Sequence, residues 1–161
     1  DAFINGFESI LDFRLKDFLI TNLHANSYVN FAYTKSEYLK SKENGVVGNN
    51  VEFTPKYNLK YGVDFEYKRY MLGLQYSYIS DQFTDASNAE QSNISGIIGV
   101  IPSYSVIDLS SKIKFENINI FSGINNITNN MYYTRRATGY PGPGIIPSQG
   151  INYYITVQVI L

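Results

Sequence analysis

Residues 56–68 read KYNLKYGVDFEYK. The odd positions are Tyr57, Leu59, Tyr61, Val63, Phe65 and Tyr67. The even positions are Lys56, Asn58, Lys60, Gly62, Asp64, Glu66 and Lys68. One set is apolar and aromatic; the other is polar and carries both signs of charge. A helix would mix the two sets around its circumference, whereas a strand sends them to opposite faces. The stretch therefore predicts a strand with one apolar and one wet face.

The same period of two recurs along the chain. It predicts strands over 7–16, 23–34, 70–79, 105–115, 118–127 and 151–161, seven in all with 56–68. Most are about 10 to 12 residues long, longer than the usual ~5 to 6 of globular strands and matched to the ~9 to 11 of a tilted membrane strand. Lys68-Arg69 and Glu116-Asn117 leave room only for tight hairpins, and 17–22 forms a slightly longer turn. Three long polar loops separate the hairpins, over 36–54, 84–103 and 128–150, and Asn44-Gly45 marks a turn in the first. Short turns at one end and long loops at the other predict an all-β, antiparallel transmembrane β-barrel of the bacterial outer membrane. Tyr33, Tyr57, Tyr67, Tyr70, Tyr78 and Phe115 fall near strand ends, where an aromatic girdle belongs. A soluble β-sandwich would also alternate, but needs neither strands of this length nor aromatic ends.

Composition agrees. The 161 residues carry a net charge of −1 at pH 7, which makes no electrostatic case for nucleic acid. There is no cysteine, so neither a disulfide framework nor a thiolate metal site. Tyrosine (15) and phenylalanine (10) are abundant and tryptophan is absent, a balance that favours strands with one edge in water. No apolar run of about 18 residues exists to form a membrane helix. The chain starts at Asp1 rather than Met, as a mature or cut product does. Seven strands cannot close an even-stranded barrel. The chain is then either part of a larger barrel or a complete eight-stranded one, with ISGIIGVIPSY (94–104) hiding the eighth strand.

The last 40 residues bear on this choice. GINNITNNMYYTRRATGYPGPGIIPSQGINYYITVQVIL (123–161) contains a Gly-x-Asn-Asn-hydrophobic element at Gly123, Asn125, Asn126 and Ile127, then a Tyr-x-Arg-Arg-Ala-x-Gly-Tyr-Pro-Gly-Pro-Gly loop, then a final strand. This resembles the C-terminal end of TonB-dependent outer-membrane receptors, especially the ferric-citrate-type branch. VEFTPKYNLKYGVDFEY and IPSYSVIDLSSKIKF resemble two recurrent strand openings of that family, so the likeness spans nearly the whole chain. It implies a plugged barrel of about 22 strands, of which 1–161 would be the C-terminal portion. The plug domain and the TonB box would lie upstream of these residues. It further implies active uptake of a ferric chelate, ferric citrate or a similar siderophore, energised by the TonB–ExbB–ExbD complex. The barrel-assembly machinery would read the terminal strand, Tyr153, Ile155, Val157, Val159 and Leu161, with Leu161 where the family usually ends in Phe.

Arg135 and Arg136 are the candidate ligand contacts, because a guanidinium fork matches the carboxylates of an anionic chelate. The alternative is structural: pairing with lumenal carboxylates or lipopolysaccharide phosphates. Gly139, Tyr140, Pro141, Gly142, Pro143 and Gly144 would shape the loop, prolines fixing φ and glycines permitting sharp bends. His24, the single histidine, has no companion ligands, and Asp81 and Asp85 read as solvated loop acids. No catalytic constellation stands out, so neither an enzyme nor a cofactor is expected. Lys56, Lys60, Asp64, Glu66, Asp108, Lys112 and Lys114 are expected to form cross-strand ion pairs on the lumenal wall. A small barrel acting in adhesion or membrane structure is the alternative function.

Overall fold

A computed structural model describes residues 1–17, 19–139 and 143–160. Seven long strands form one antiparallel meander: β1 (Ala2–Leu15), β2 (Leu23–Tyr38), β3 (Tyr57–Tyr67), β4 (Tyr70–Ile79), β5 (Tyr104–Lys114), β6 (Ile118–Asn125) and β9 (Asn152–Val159). Two short strands, β7 (Tyr133–Ala137) and β8 (Gly144–Pro147), pair only with each other inside the last loop. Neither β1 nor β9 has a second partner among the described residues, so the sheet is open at both edges.

The register carries the alternation of 56–68 across the whole sheet. Phe7 faces Tyr33, Tyr33 faces Tyr57, Phe65 faces Leu72, Leu74 faces Leu109, Leu109 faces Ile124 and Ile124 faces Tyr153. Facing residues share a side of the sheet, so all seven apolar sets merge into one continuous surface. Among the described residues nothing covers that surface. Phe7, Phe13 and Ile155 are 61%, 58% and 73% exposed, and among the described residues only Val46 and Ile101, both in loops, are buried hydrophobics. The accessible surface is 10932 Å² for 18.3 kDa, against roughly 8,100 Å² for a compact monomer of that mass. Leaving large apolar side chains in water forfeits about 1.5–3 kcal/mol each, so this face requires lipid, and the soluble sandwich fails for want of a core.

Aromatic residues bound the apolar surface. Tyr33 and Tyr57 meet at one end with ring centroids 5.6 Å apart, and Tyr67 faces Tyr70 at the other. Tyr57 to Tyr67 is about 33 Å of strand, which at a tilt of about 40° gives the ~25 Å apolar band of a membrane barrel. Basic side chains flank the rings: Lys68 Nζ lies 4.9 Å from the Tyr67 centroid and the Arg69 guanidinium 5.9 Å from that of Phe115.

The turns follow the expected division. Lys68 takes φ 55° in its two-residue hairpin, the left-handed sense that such turns require. Phe115 N donates to Ile118 O at 2.8 Å to close the other. Asp17 Oδ1 accepts from Asn22 N at 2.8 Å across the third. Two strands run further than their apolar pattern. β1 begins at Ala2 and β2 continues to Tyr38, because the ladder persists from Gly6↔Thr34 to Ala2↔Tyr38 where both faces have turned polar or mixed. The segment 94–104 does not supply an eighth strand. Apart from Tyr104, which opens β5, it lies in a loop joined by a lone bridge between Gln82 and Ile101.

The lumenal charges arrange themselves differently from the expected ladder of ion pairs. Of those seven residues, only Lys114 and Glu66 pair among the described residues, at 2.7 Å and across the intervening β4. The register explains the rest: Lys60 faces Asn30 and Ser77, Asp64 faces Asn26 and Gly73, and Lys112 faces Met71 and Phe121. With no opposite charge alongside, Lys112 lies over the Phe121 ring, 4.8 Å from its centroid, and Lys56 over Tyr57 at 5.4 Å. Asp108 instead accepts the backbone N–H of Asn126 at 2.8 Å.

Candidate functional site

All three long loops leave the same end of the sheet, over 39–56, 80–103 and 126–151. Between the first two is a cavity of about 260 Å³ lined by Thr34, Ser36, Asn50, Thr54, Lys56 and Asp81, among others. Thr34 and Lys56 are a facing pair on the lumenal side, and Tyr33 and Lys35, of the opposite side, also line the recess. Its hydroxyls, amide and ammonium suit a polar guest. Asp81 is exposed, whereas Asp85 Oδ2 accepts from Ser87 N at 2.9 Å and caps its own turn. Gly45 takes φ 80° in the turn read at Asn44-Gly45. His24 faces Glu66 at the opposite, short-turn end.

The third loop is rooted by asparagines. Asn126 is 3% exposed, takes φ 51°, and directly follows β6. Its Nδ2 donates to Asn130 O and Gln149 O, and its Oδ1 accepts from Asn130 N at 2.9 Å. Asn129 Oδ1 accepts from Ile151 N at 3.0 Å. Asn125 Nδ2 donates to Asn152 Oδ1 at 2.8 Å. Gly123, first residue of the motif, lies under a ring, since a Cβ there would stand 2.6 Å from Tyr154 Cε1. The Gly-x-Asn-Asn element thus closes the loop's base by bonding both of its ends.

Above that base, the loop folds into the β7–β8 hairpin. Arg136 faces Ile145 and Arg135 faces Ile146, with an irregularity between Tyr133 and Arg135. Adjacent strand residues point to opposite sides, and the two arginines accordingly part. Arg135 is exposed. Arg136 is 9% exposed and turns toward loop 80–103: Nη1 donates to Gly96 O at 2.9 Å and Nη2 to Val100 O and Tyr133 Oη at 3.0 Å each. Its partners are carbonyls and a phenol, not carboxylates. Gly139 is exposed, with none of the described residues within 4 Å of where a Cβ would stand, and Pro143 leads into Gly144 at φ 123°, where β8 begins. Tyr140, Pro141 and Gly142, together with Leu161, lie outside the described residues.

Residues 1–127 match the sequence model of the family "TonB dependent receptor-like, beta-barrel". The chain belongs to that family. It is therefore part of an outer-membrane receptor, with the apolar face toward lipid, the short turns periplasmic and the long loops outside. The ferric citrate transporter FecA, in its unliganded form, superposes with a TM-score of 0.85 at 23% identity over 98% of this chain. The siderophore receptor PiuA from Acinetobacter baumannii gives 0.74 at 19% over 98%, and the copper transporter OprC 0.71 at 16% over 99%. The chain spans only 24%, 22% and 24% of those proteins' lengths. These likenesses fix the fold of a TonB-dependent barrel segment. Sequence reasoning missed the β7–β8 hairpin and the rooting role of Asn126 and Asn129. Tyr-Thr before the Gly-Pro run and Ile-Ile after it were the available hairpin signal.

Proposed function

We propose that the protein carrying this chain takes up an anionic ferric chelate, citrate or a similar carboxylate siderophore, across the outer membrane. The chain supplies C-terminal barrel wall and three external loops. The plug and the TonB box belong to sequence upstream, through which the TonB–ExbB–ExbD complex delivers energy, and the barrel-assembly machinery inserts the whole. The observation that carries the reading is Arg135: an exposed guanidinium, on an arm made of paired strands, at the external end of the barrel. Such a fork recognises carboxylates in a bidentate manner, and the resemblance of the surrounding loop to the ferric-citrate branch points the same way.

The test is radio-iron uptake from ferric citrate in cells lacking the receptor, complemented with the parent or with Arg135→Ala. The reading predicts uptake from the parent and about a tenfold weaker apparent affinity for the variant, the worth of one charge-assisted contact. Unchanged uptake after deletion of the receptor gene overturns the cargo assignment.

A further inference from the structure

Arg136 is the most thoroughly engaged cation among the described residues, yet no carboxylate is among its partners. We propose that it is a positioning residue: it fastens loop 126–151 to loop 80–103, so that the two move as one body with Arg135 held outward. Three layers of contact support this. At the base, Tyr104 and Tyr132 stack with centroids 4.4 Å apart and planes 17° off parallel, and Asn130 Nδ2 donates to Ser105 O at 2.8 Å. Midway, Tyr133 Oη donates to Val100 O at 3.1 Å. At the top, the Arg136 fork bridges Gly96 O and Val100 O while its guanidinium carbon lies 5.4 Å from the Tyr133 ring centroid.

The strand irregularity between Tyr133 and Arg135 makes the clasp possible. In a regular strand, residues three apart face opposite sides. An extra residue re-aims those beyond it, and here Tyr133 and Arg136 end on the same side, close enough to bond. Gly96 is needed for the approach. Its φ is +71°, and a Cβ there would stand 3.1 Å from Gly144 Cα, on the opposing loop. The buried charge is stabilised by the Tyr133 ring of its own strand and by two carbonyl dipoles of the facing loop, and the carbonyls are lost if the loops part. Arg136 Nε has no partner among the described residues, so the fork is held by its two terminal nitrogens alone.

The clasp is independent of cargo; only the display of Arg135 rests on the function proposed above. Hydrogen–deuterium exchange of the intact, detergent-purified receptor without ligand tests it. Removing the fork should speed exchange across 94–101 by about tenfold or more, as loss of a charge-assisted pair of bonds does for a local opening. Peptides from β5 and β6 should stay unchanged, Arg135→Ala should have no effect on 94–101, and Arg136→Lys should restore part of the protection. Tyr133→Phe, which deletes one hydroxyl and keeps the ring, should give a smaller acceleration in the same segment. It also serves as the test if Arg136→Ala fails to assemble. Exchange over 94–101 that is unaltered in both Arg136→Ala and Tyr133→Phe, or equally altered by Arg135→Ala, overturns the proposal. Loss of ferric citrate uptake in Arg135→Ala alone, with 94–101 still protected, leaves the clasp standing and bears only on the cargo.

Discussion

Five hydrogen bonds converge on Asn126, one of them reaching Gln149 at the far end of its own loop. Its left-handed backbone costs a side chain other than Gly or Asn about 1 kcal/mol, and each buried partner left unpaired costs about 1–3 kcal/mol. Asn126→Ala should therefore lower stability by about 2–4 kcal/mol, read as a lower urea midpoint of the folded receptor. An unchanged midpoint would remove Asn126 from the loop's foundation. Its neighbour Arg135 should behave oppositely, with Arg135→Ala weakening chelate affinity and leaving that midpoint in place. None of this is legible from the local string. Asn125, Asn126, Asn129 and Asn130 look alike in a polar run, and only the fold distinguishes the one that is 97% buried from those that are not.

At the scale of the element, the period of two was a sufficient guide wherever one face meets lipid. β3 and β4 were bounded within a residue, because Tyr57, Tyr67 and Tyr70 mark where lipid gives way to water. Guidance ended where that contrast ended. Thr34 to Tyr38 continue β2 with polar side chains on both faces, and β7 and β8 pair above the membrane without alternation, each arginine facing an isoleucine. The charges of the lumenal wall failed for another reason: alternation assigns a face but not a register, and register decides which charges meet. β5 offers a test of the two-faced reading at adjacent positions. Leu109 faces Leu74 and Ile124 on the lipid side, whereas Ser110 faces Gly73 and Gly123 on the lumenal side, beside Asp64 and Asp108. Leu109→Arg should cost about 2–4 kcal/mol near the bilayer midplane. Ser110→Arg should be tolerated, having both room and carboxylates. Measured folding yields into lipid vesicles that rank the two in reverse order would mean the faces are assigned backwards.

At the scale of the molecule, the open edges govern behaviour. β1 and β9 each present an unpaired ladder among the described residues, and exposed backbone edges are not tolerated in the hydrocarbon. The 161-residue chain purified alone should therefore give no single-channel conductance in planar bilayers; steady unitary currents would show that it closes a pore by itself. Fold and membrane topology were readable because lipid imposes a two-letter pattern on every spanning strand. The candidate site was less so, because loops above the membrane answer to tertiary hydrogen bonds that no short period encodes. The measurement that bears most directly on the account is the intact mass of the native protein containing RRATGYPGPG, taken from a detergent-extracted outer-membrane fraction. The chain covers 24% of FecA, so a barrel of that kind predicts a mass roughly fourfold above the 18.3 kDa of this chain. A native mass of 18.3 kDa would contradict it.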